Sequence, residues 1–160
     1  MLRLSHADYE SLRAHGEQTY PHECCGVLLG KVEDEINVVH QIVQAGNTRT
    51  DSAHNRYSIS PVELIRIQRQ ARAASLDIVG FYHSHPDHPA QWSATDIAEA
   101  HWLGCSYVIT RVGKRAADVT NSFRLQGTSE EDKRFLDEPI EIIIQPSTSD
   151  SEQLSSQGAK

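Results

Sequence analysis

The stretch Ile78-Val79-Gly80-Phe81-Tyr82-His83-Ser84-His85-Pro86, followed by Ser93 and Asp96, decides how the rest of the chain is read. Ile78, Val79, Phe81 and Tyr82 form a short apolar run of the kind that ends a buried strand. His83 and His85 stand two residues apart, just where that run meets Pro86. Side chains at i and i+2 of a strand project to the same face, so both imidazoles reach one point off the strand end. Ser93 and Asp96 open the next helical pattern, and a spacing of three places them on one helix face. Two imidazoles and a carboxylate converging in this way suit a three-ligand zinc site with its fourth position left to water. Each part has an ordinary reading too. Ser93-Ala94-Thr95-Asp96 is a helix-start signature, with Ser at the cap and an acid three residues on. A close pair of loop histidines is usually solvent-facing or hydrogen-bonded.

The combination is more specific than its parts. His83-x-His85-Pro86-x6-Ser93-x2-Asp96 resembles the signature of the JAMM (MPN+, Mov34) metalloprotease family. Pro21-x-Glu23-x-Cys25-Gly26-Val27-Leu28-Leu29-Gly30 resembles the family segment that carries its catalytic glutamate. Asn47, and then Arg56-Tyr57-x-Ile59-x-Pro61-x-Glu63, resemble the loop and strand leading into its central helix. The matches run from about Pro21 to Thr110, and no motif position is missing. The resemblance implies a mixed α+β fold, a mostly antiparallel sheet flanked by helices in the cytidine-deaminase-like JAMM/MPN architecture. It implies one Zn²⁺ with a bound water, held by His83, His85 and Asp96. It assigns proton transfer to Glu23, and a hydrogen bond to the developing oxyanion to Ser93. The ordinary reading of Glu23 is a surface acid beside a strand.

Eukaryotic relatives cut isopeptide bonds to ubiquitin, usually with added insertion segments. This short chain is closer to the compact prokaryotic type, of which the CysO-cysteine peptidase is representative. That likeness implies hydrolysis of an amide after the C-terminal Gly-Gly of a ubiquitin-like or sulfur-carrier protein. Glycine lets two backbones approach closely, so such a tail suits a narrow groove and strand addition at a sheet edge. Competing readings are a RadC-like protein, a phage-tail-type hydrolase module, and a non-catalytic scaffold of the same fold. The acidic balance and the Pro21–Gly30 match weigh against the first. The second usually carries another hydrolase domain. The third usually lacks a ligand.

The chain has 160 residues, a net charge of −7 and a pI near 5.7. That length suits one domain with its own core, expected over residues 1–145. The acidic balance offers no basic face for nucleic acid. Arg66, Arg69 and Arg72 are the densest positive group and read as a solvated helix face. No apolar run reaches membrane-spanning length, and Met1 to His6 lacks a signal-peptide core, so the expected location is cytoplasmic. Three cysteines, with Cys24 and Cys25 adjacent, do not make a disulfide framework; those two read as small core side chains. Oligomeric state stays open, a homodimer included.

In chain order, the pattern predicts a capped helix over 5–18, then a buried strand ending at Gly30. A turn over 32–35 and a hairpin partner over 36–43 follow. Residues 45–55 read as a polar surface loop close to the substrate. A short strand at Tyr57–Ile59 follows, then the clearest helix start, Ser60-Pro61-Val62-Glu63, running to about Ser75. The histidine strand spans 77–82. Asp87 to Trp92 is a loop in which His88 is a poor fourth ligand, because hydrolysis needs that position for water. Trp92 either packs under the site or lines a groove. A helix from Ser93 to about Leu103 ends at Gly104. Strands are expected over 105–110 and 118–126, a turn over 127–133, and a last strand near 138–145. Residues 146–160 are polar and expected to be a disordered tail.

Overall fold

The structure, a computed structural model, describes residues 1–48 and 57–145. Its elements in order are β1 (Leu2–Ser5), α1 (His6–Thr19), β2 (Cys25–Glu33), β3 (Ile36–Ala45), α2 (Pro61–Ala73), β4 (Asp77–Pro86), α3 (Ala94–Glu99), β5 (Ser106–Gly113), β6 (Ala116–Gln126), β7 (Arg134–Glu138) and β8 (Ile140–Ile143). The strands form one sheet in the order β7-β6-β5-β4-β2-β3-β1-β8. Pairs β2–β3, β2–β4, β5–β6 and β6–β7 are antiparallel; β1–β3, β1–β8 and β4–β5 are parallel. The fold is thus mixed α+β with a mostly antiparallel sheet, as expected.

The two ends of that order, β7 and β8, are joined by Pro139 alone, so the sheet must curl until its edges approach. Helix α1 lies inside the curl, against β1, β3, β4, β5, β6 and β8. The Arg13 guanidinium ties it to β6 by donating to Thr120 Oγ1 at 2.7 Å and to the Ala117 carbonyl at 3.0 Å. Leu2, Leu4, Leu12, Leu28, Val79, Tyr82 and Val108 pack on this side. Ile67 and Ala71 of α2 cover the other side with Val27, Leu29, Phe81, Tyr107, Phe123 and Phe135. No helix among the described residues is long and apolar enough to cross a membrane.

A bulge decides which face receives the histidines. The β2–β4 register shifts between Leu28 and Leu29. Val79 and Tyr82 therefore point toward α1, whereas Ile78 and Phe81 pack in the opposite cluster. A strand's period of two then puts His83 and His85 on the Phe81 face and Ser84 on the α1 face. Ladder partners place Val27, Phe81, Tyr107 and Phe123 in one row, and Cys25, His83, Ile109 and Asn121 in the next. The first row is apolar and closely packed, with Phe81 and Tyr107 stacked at 5.4 Å between ring centroids. The histidines stand on a rigid floor.

Five readings of the sequence need correction. Leu2–Ser5 is a strand, and its short parallel ladders to β3 and β8 leave no local pattern to read. Tyr57–Ile59 is not a strand. The Asn47 side chain accepts from the Ser58 amide at 3.1 Å, where a partner strand would have offered a carbonyl. Helix α3 stops at Glu99, because Lys133 Nζ donates to the Ala98 and Ala100 carbonyls and Trp102 turns inward to meet Phe81 edge-on at 5.5 Å. The last strand, expected near 138–145, is β8, and an unexpected strand, β7, precedes it across Pro139; the two pair at opposite ends of the sheet. β4 also runs on through His83 to Pro86, paired to β5 throughout. Most of the 45–55 loop and all of the 146–160 tail lie outside the described residues.

Candidate metal centre

His83 and His85 come from the end of β4, and Asp96 from the first turn of α3. His83 Nε2 lies 3.2 Å from Asp96 Oδ1, and His85 Nε2 lies 3.3 Å from Asp96 Oδ2. The two Nε2 atoms are 3.0 Å apart. One ligand atom from each residue fits within 4.8 Å of the others, and these three form the one such group among the described residues. Both histidines are buried.

The proton on His85 can be assigned from chemistry. His85 Nδ1 is 2.8 Å from the Pro89 carbonyl, which can only accept, so Nδ1 carries a hydrogen, and in the neutral ring Nε2 offers a lone pair. His83 stacks on Tyr57, with centroids 4.4 Å apart and planes at 25°. Its Nδ1 is buried with no hydrogen-bond partner among the described residues. Burial holds the His83 imidazole below its ordinary value, against the pull of Asp96. Burial acts the same way on His85, but hydrogen bonds to Asp96 and to the Pro89 carbonyl outweigh it and raise the value. Burial alone would raise Asp96; hydrogen bonds from both histidines hold it well below the usual carboxylate range. An ionised carboxylate and two imidazole nitrogens converging in a buried corner are the nitrogen and oxygen donors that Zn²⁺ takes. The residues fit the metal.

Ser93 caps α3. Its Oγ accepts from the Asp96 amide at 3.1 Å, while Asp96 Oδ2 accepts from the Ser93 amide at 2.7 Å. Asp96 is thus aimed by the capping box that also starts the helix, as the helix-start reading of Ser93-x-x-Asp96 expects. Glu23 precedes β2, two residues before Cys25, the ladder partner of His83. It is only 5% exposed. Burial pushes its carboxyl up to about 8, with Asp96 and Glu99 adding to the rise and His85 opposing it. Glu23, His85 and Ser93 line one cleft of about 430 Å³ with His88, Pro89 and Gln91. His88 is exposed there and outside the three-residue group. Trp92 is exposed at the surface, with its ring 5.8 Å from Phe135. Cys24 and Cys25 are buried free thiols, pushed up to about 11 and about 12 chiefly by burial.

Reading the residues singly missed two contacts. Tyr57, read as part of a family-like segment and as the start of a short strand, packs on the His83 ring. Asn47 donates to the Glu23 carbonyl at 3.3 Å as it accepts from the Ser58 amide, holding residues 57–58 beside the site. Their signal was the quoted segment itself, without any sign of what it touches.

The profile of prokaryotic homologs of the JAB domain matches residues 5–126. A desampylase of Haloferax volcanii is 36% identical over 89 residues, 56% of this chain and 62% of that protein. A probable TtuB-protein conjugate cleaving protease of Thermus thermophilus is 31% identical over 93 residues, 58% of this chain and 59% of that protein. The chain therefore spans about three fifths of the length of these curated relatives. Among solved structures, a protein of Desulfitobacterium hafniense superposes with a TM-score of 0.73 at 26% identity, covering 91% of this chain and 93% of that one. One from Salinibacter ruber does so at 0.66 and 35% identity, covering 91% and 92%. With the profile running from the cap of α1 to the end of β6, through the whole of β4 and α3, the chain belongs to the prokaryotic JAB-domain family.

Proposed function

We propose that this protein is a zinc-dependent isopeptidase that hydrolyses the amide bond after the C-terminal Gly-Gly of a ubiquitin-like or sulfur-carrier protein. The observation that carries the reading is the convergence of His83, His85 and Asp96, with His85 lining a cleft that also holds buried Glu23. His83, His85 and Asp96 would hold Zn²⁺, which when bound supplies Lewis acidity toward water and an amide carbonyl.

The other steps belong to the chain's own groups. Glu23 takes a proton from the attacking water and returns it to the leaving amine. A general base works best with a pKa near the operating pH, and burial moves Glu23 in that direction. Ser93 Oγ spends a lone pair on the Asp96 amide, so its own hydroxyl hydrogen is free to donate to the oxyanion. The protease relative is named for cleaving conjugates of one protein, TtuB. Carried to this chain, that name and the other relative's agree with a protein-conjugate substrate; the Gly-Gly end follows from the family resemblance.

The test is intact-mass analysis of ubiquitin-like sulfur carriers, each extended past Gly-Gly, incubated with the protein. Glu23→Ala and a chelator are the controls. Cleavage after Gly-Gly that is absent in both controls supports the reading. Cleavage elsewhere, or cleavage that survives the chelator, overturns it.

A further inference from the structure

We infer that Asn121 is a positioning residue for the proposed metal centre, acting on His85 through the carbonyls of Pro89 and Ala90. The inference rests on the metal-centre reading above. Asn121 sits on β6 in the same ladder row as Ile109 and His83. Residues level with one another in a row point to one face, so the Asn121 side chain rises on the histidine side of the sheet. Its Nδ2 donates to the Ala90 carbonyl at 2.8 Å. Ala90 is itself buried, at 4% exposure. The neighbouring carbonyl, that of Pro89, accepts from His85 Nδ1 at 2.8 Å.

The start of this loop is held separately. The Asp87 amide donates to the Val112 carbonyl at 2.9 Å, and Tyr20 Oη donates to Asp87 Oδ2 at 2.7 Å. Asn121 clamps its far end. The intervening Pro89 carbonyl has its position set by both anchors, since a peptide unit is planar and has few soft torsions.

That position matters because a neutral imidazole carries one proton and two groups compete for it. The Pro89 carbonyl attracts it to Nδ1, whereas Asp96 Oδ2, 3.3 Å from Nε2, attracts it to the nitrogen a metal needs free. Holding the Ala90 carbonyl keeps the Pro89 carbonyl in range and tips the proton to Nδ1. Without the Asn121 donor, the Ala90 carbonyl loses its partner and the loop end is released. The Nε2–H tautomer, paired with Asp96, then gains population and must lose its proton before it can ligate.

Outer partners of metal-bound histidines typically change metal affinity by about 10–100-fold, and Asn121 stands one contact further out, so about 10-fold is expected. The experiment compares wild type with Asn121→Ala and the isosteric Asn121→Asp, which keeps the shape and removes the donor. Zinc affinity is read by competition with a chromogenic chelator. The His85 tautomer is read by ¹⁵N-histidine NMR of the zinc-free protein at a pH where the ring is neutral. Thermal unfolding checks that each variant is folded, and Asn121→Asp serves if Asn121→Ala is not. The expected result is about 10-fold weaker zinc binding and a His85 signal moved from Nδ1–H toward Nε2–H. Zinc binding within twofold of wild type, with His85 still protonated at Nδ1, overturns the inference. A wild type that binds no zinc overturns the metal-centre reading instead, and the tautomer shift still decides whether Asn121 acts on His85.

Discussion

Glu23→Gln is expected to make the zinc-free protein more stable at alkaline pH and to stop its chemistry. In the folded chain the Glu23 carboxyl holds its proton up to about 8, whereas an unfolded carboxyl releases it near 4.5. Between those values the native state binds more protons than the unfolded one, so stability falls as pH rises through that window. At about 1.4 kcal/mol per pH unit, a window this wide corresponds to at most about 5 kcal/mol. A group with some water contact realises less, on the order of 2–4 kcal/mol. Glutamine has the same shape and no charge to desolvate. The assay is urea unfolding of wild type and Glu23→Gln at pH 5, 7 and 9 with zinc chelated. The two should be similar at pH 5, and the variant should lead increasingly toward pH 9. With zinc added the lead should shrink, because a nearby cation favours the carboxylate. Parallel pH profiles for the two proteins would refute the reasoning, since the carboxyl would then have no buried, destabilised charge.

Other outcomes follow from single contacts. His15 Nδ1 is 2.8 Å from Tyr82 Oη inside the curl, and burial lowers its value below the ordinary 6.5. The unfolded state therefore gains the proton first on acidification, and melting temperature should fall below pH 6.5 more steeply in wild type than in His15→Gln. Ser93→Ala should cost about 1 kcal/mol through the lost cap, and about 10²–10³ in rate through the lost donor. Ser93→Gly should keep nearly all the stability and lose the same rate, which separates the two roles in one unfolding and turnover comparison. A Cβ at Gly80 would overlap the Ser106 carbonyl of the next strand. Gly80→Ala should therefore destabilise by about 1–3 kcal/mol in urea unfolding and weaken zinc binding by moving β4.

His83, His85, Ser93 and Asp96 were legible in the sequence because local spacing alone says which side chains share a strand face or a helix turn. Glu23 was legible only through the family resemblance. What brings it to the site is the pairing of Cys25 with His83, a contact across nearly sixty residues that no local pattern encodes. Asn121 carries no sequence signal at all, because its role depends on the β4–β5–β6 register. The strand β1 was missed for a similar reason: it is four residues long and is held by pairing with β3 and β8, both distant in sequence. The early stop of α3 lies in Lys133 and Trp102, whose contacts override a helical pattern that looked sound to Leu103.

The most direct test of the central claim is zinc content combined with X-ray absorption at the zinc edge on the purified protein. One zinc per chain is expected, with nitrogen and oxygen neighbours only, at about 2.0–2.1 Å, and its loss in Asp96→Ala. A sulfur shell near about 2.3 Å would place the metal at Cys24 and Cys25 and contradict the account. So would a folded protein that takes up no zinc.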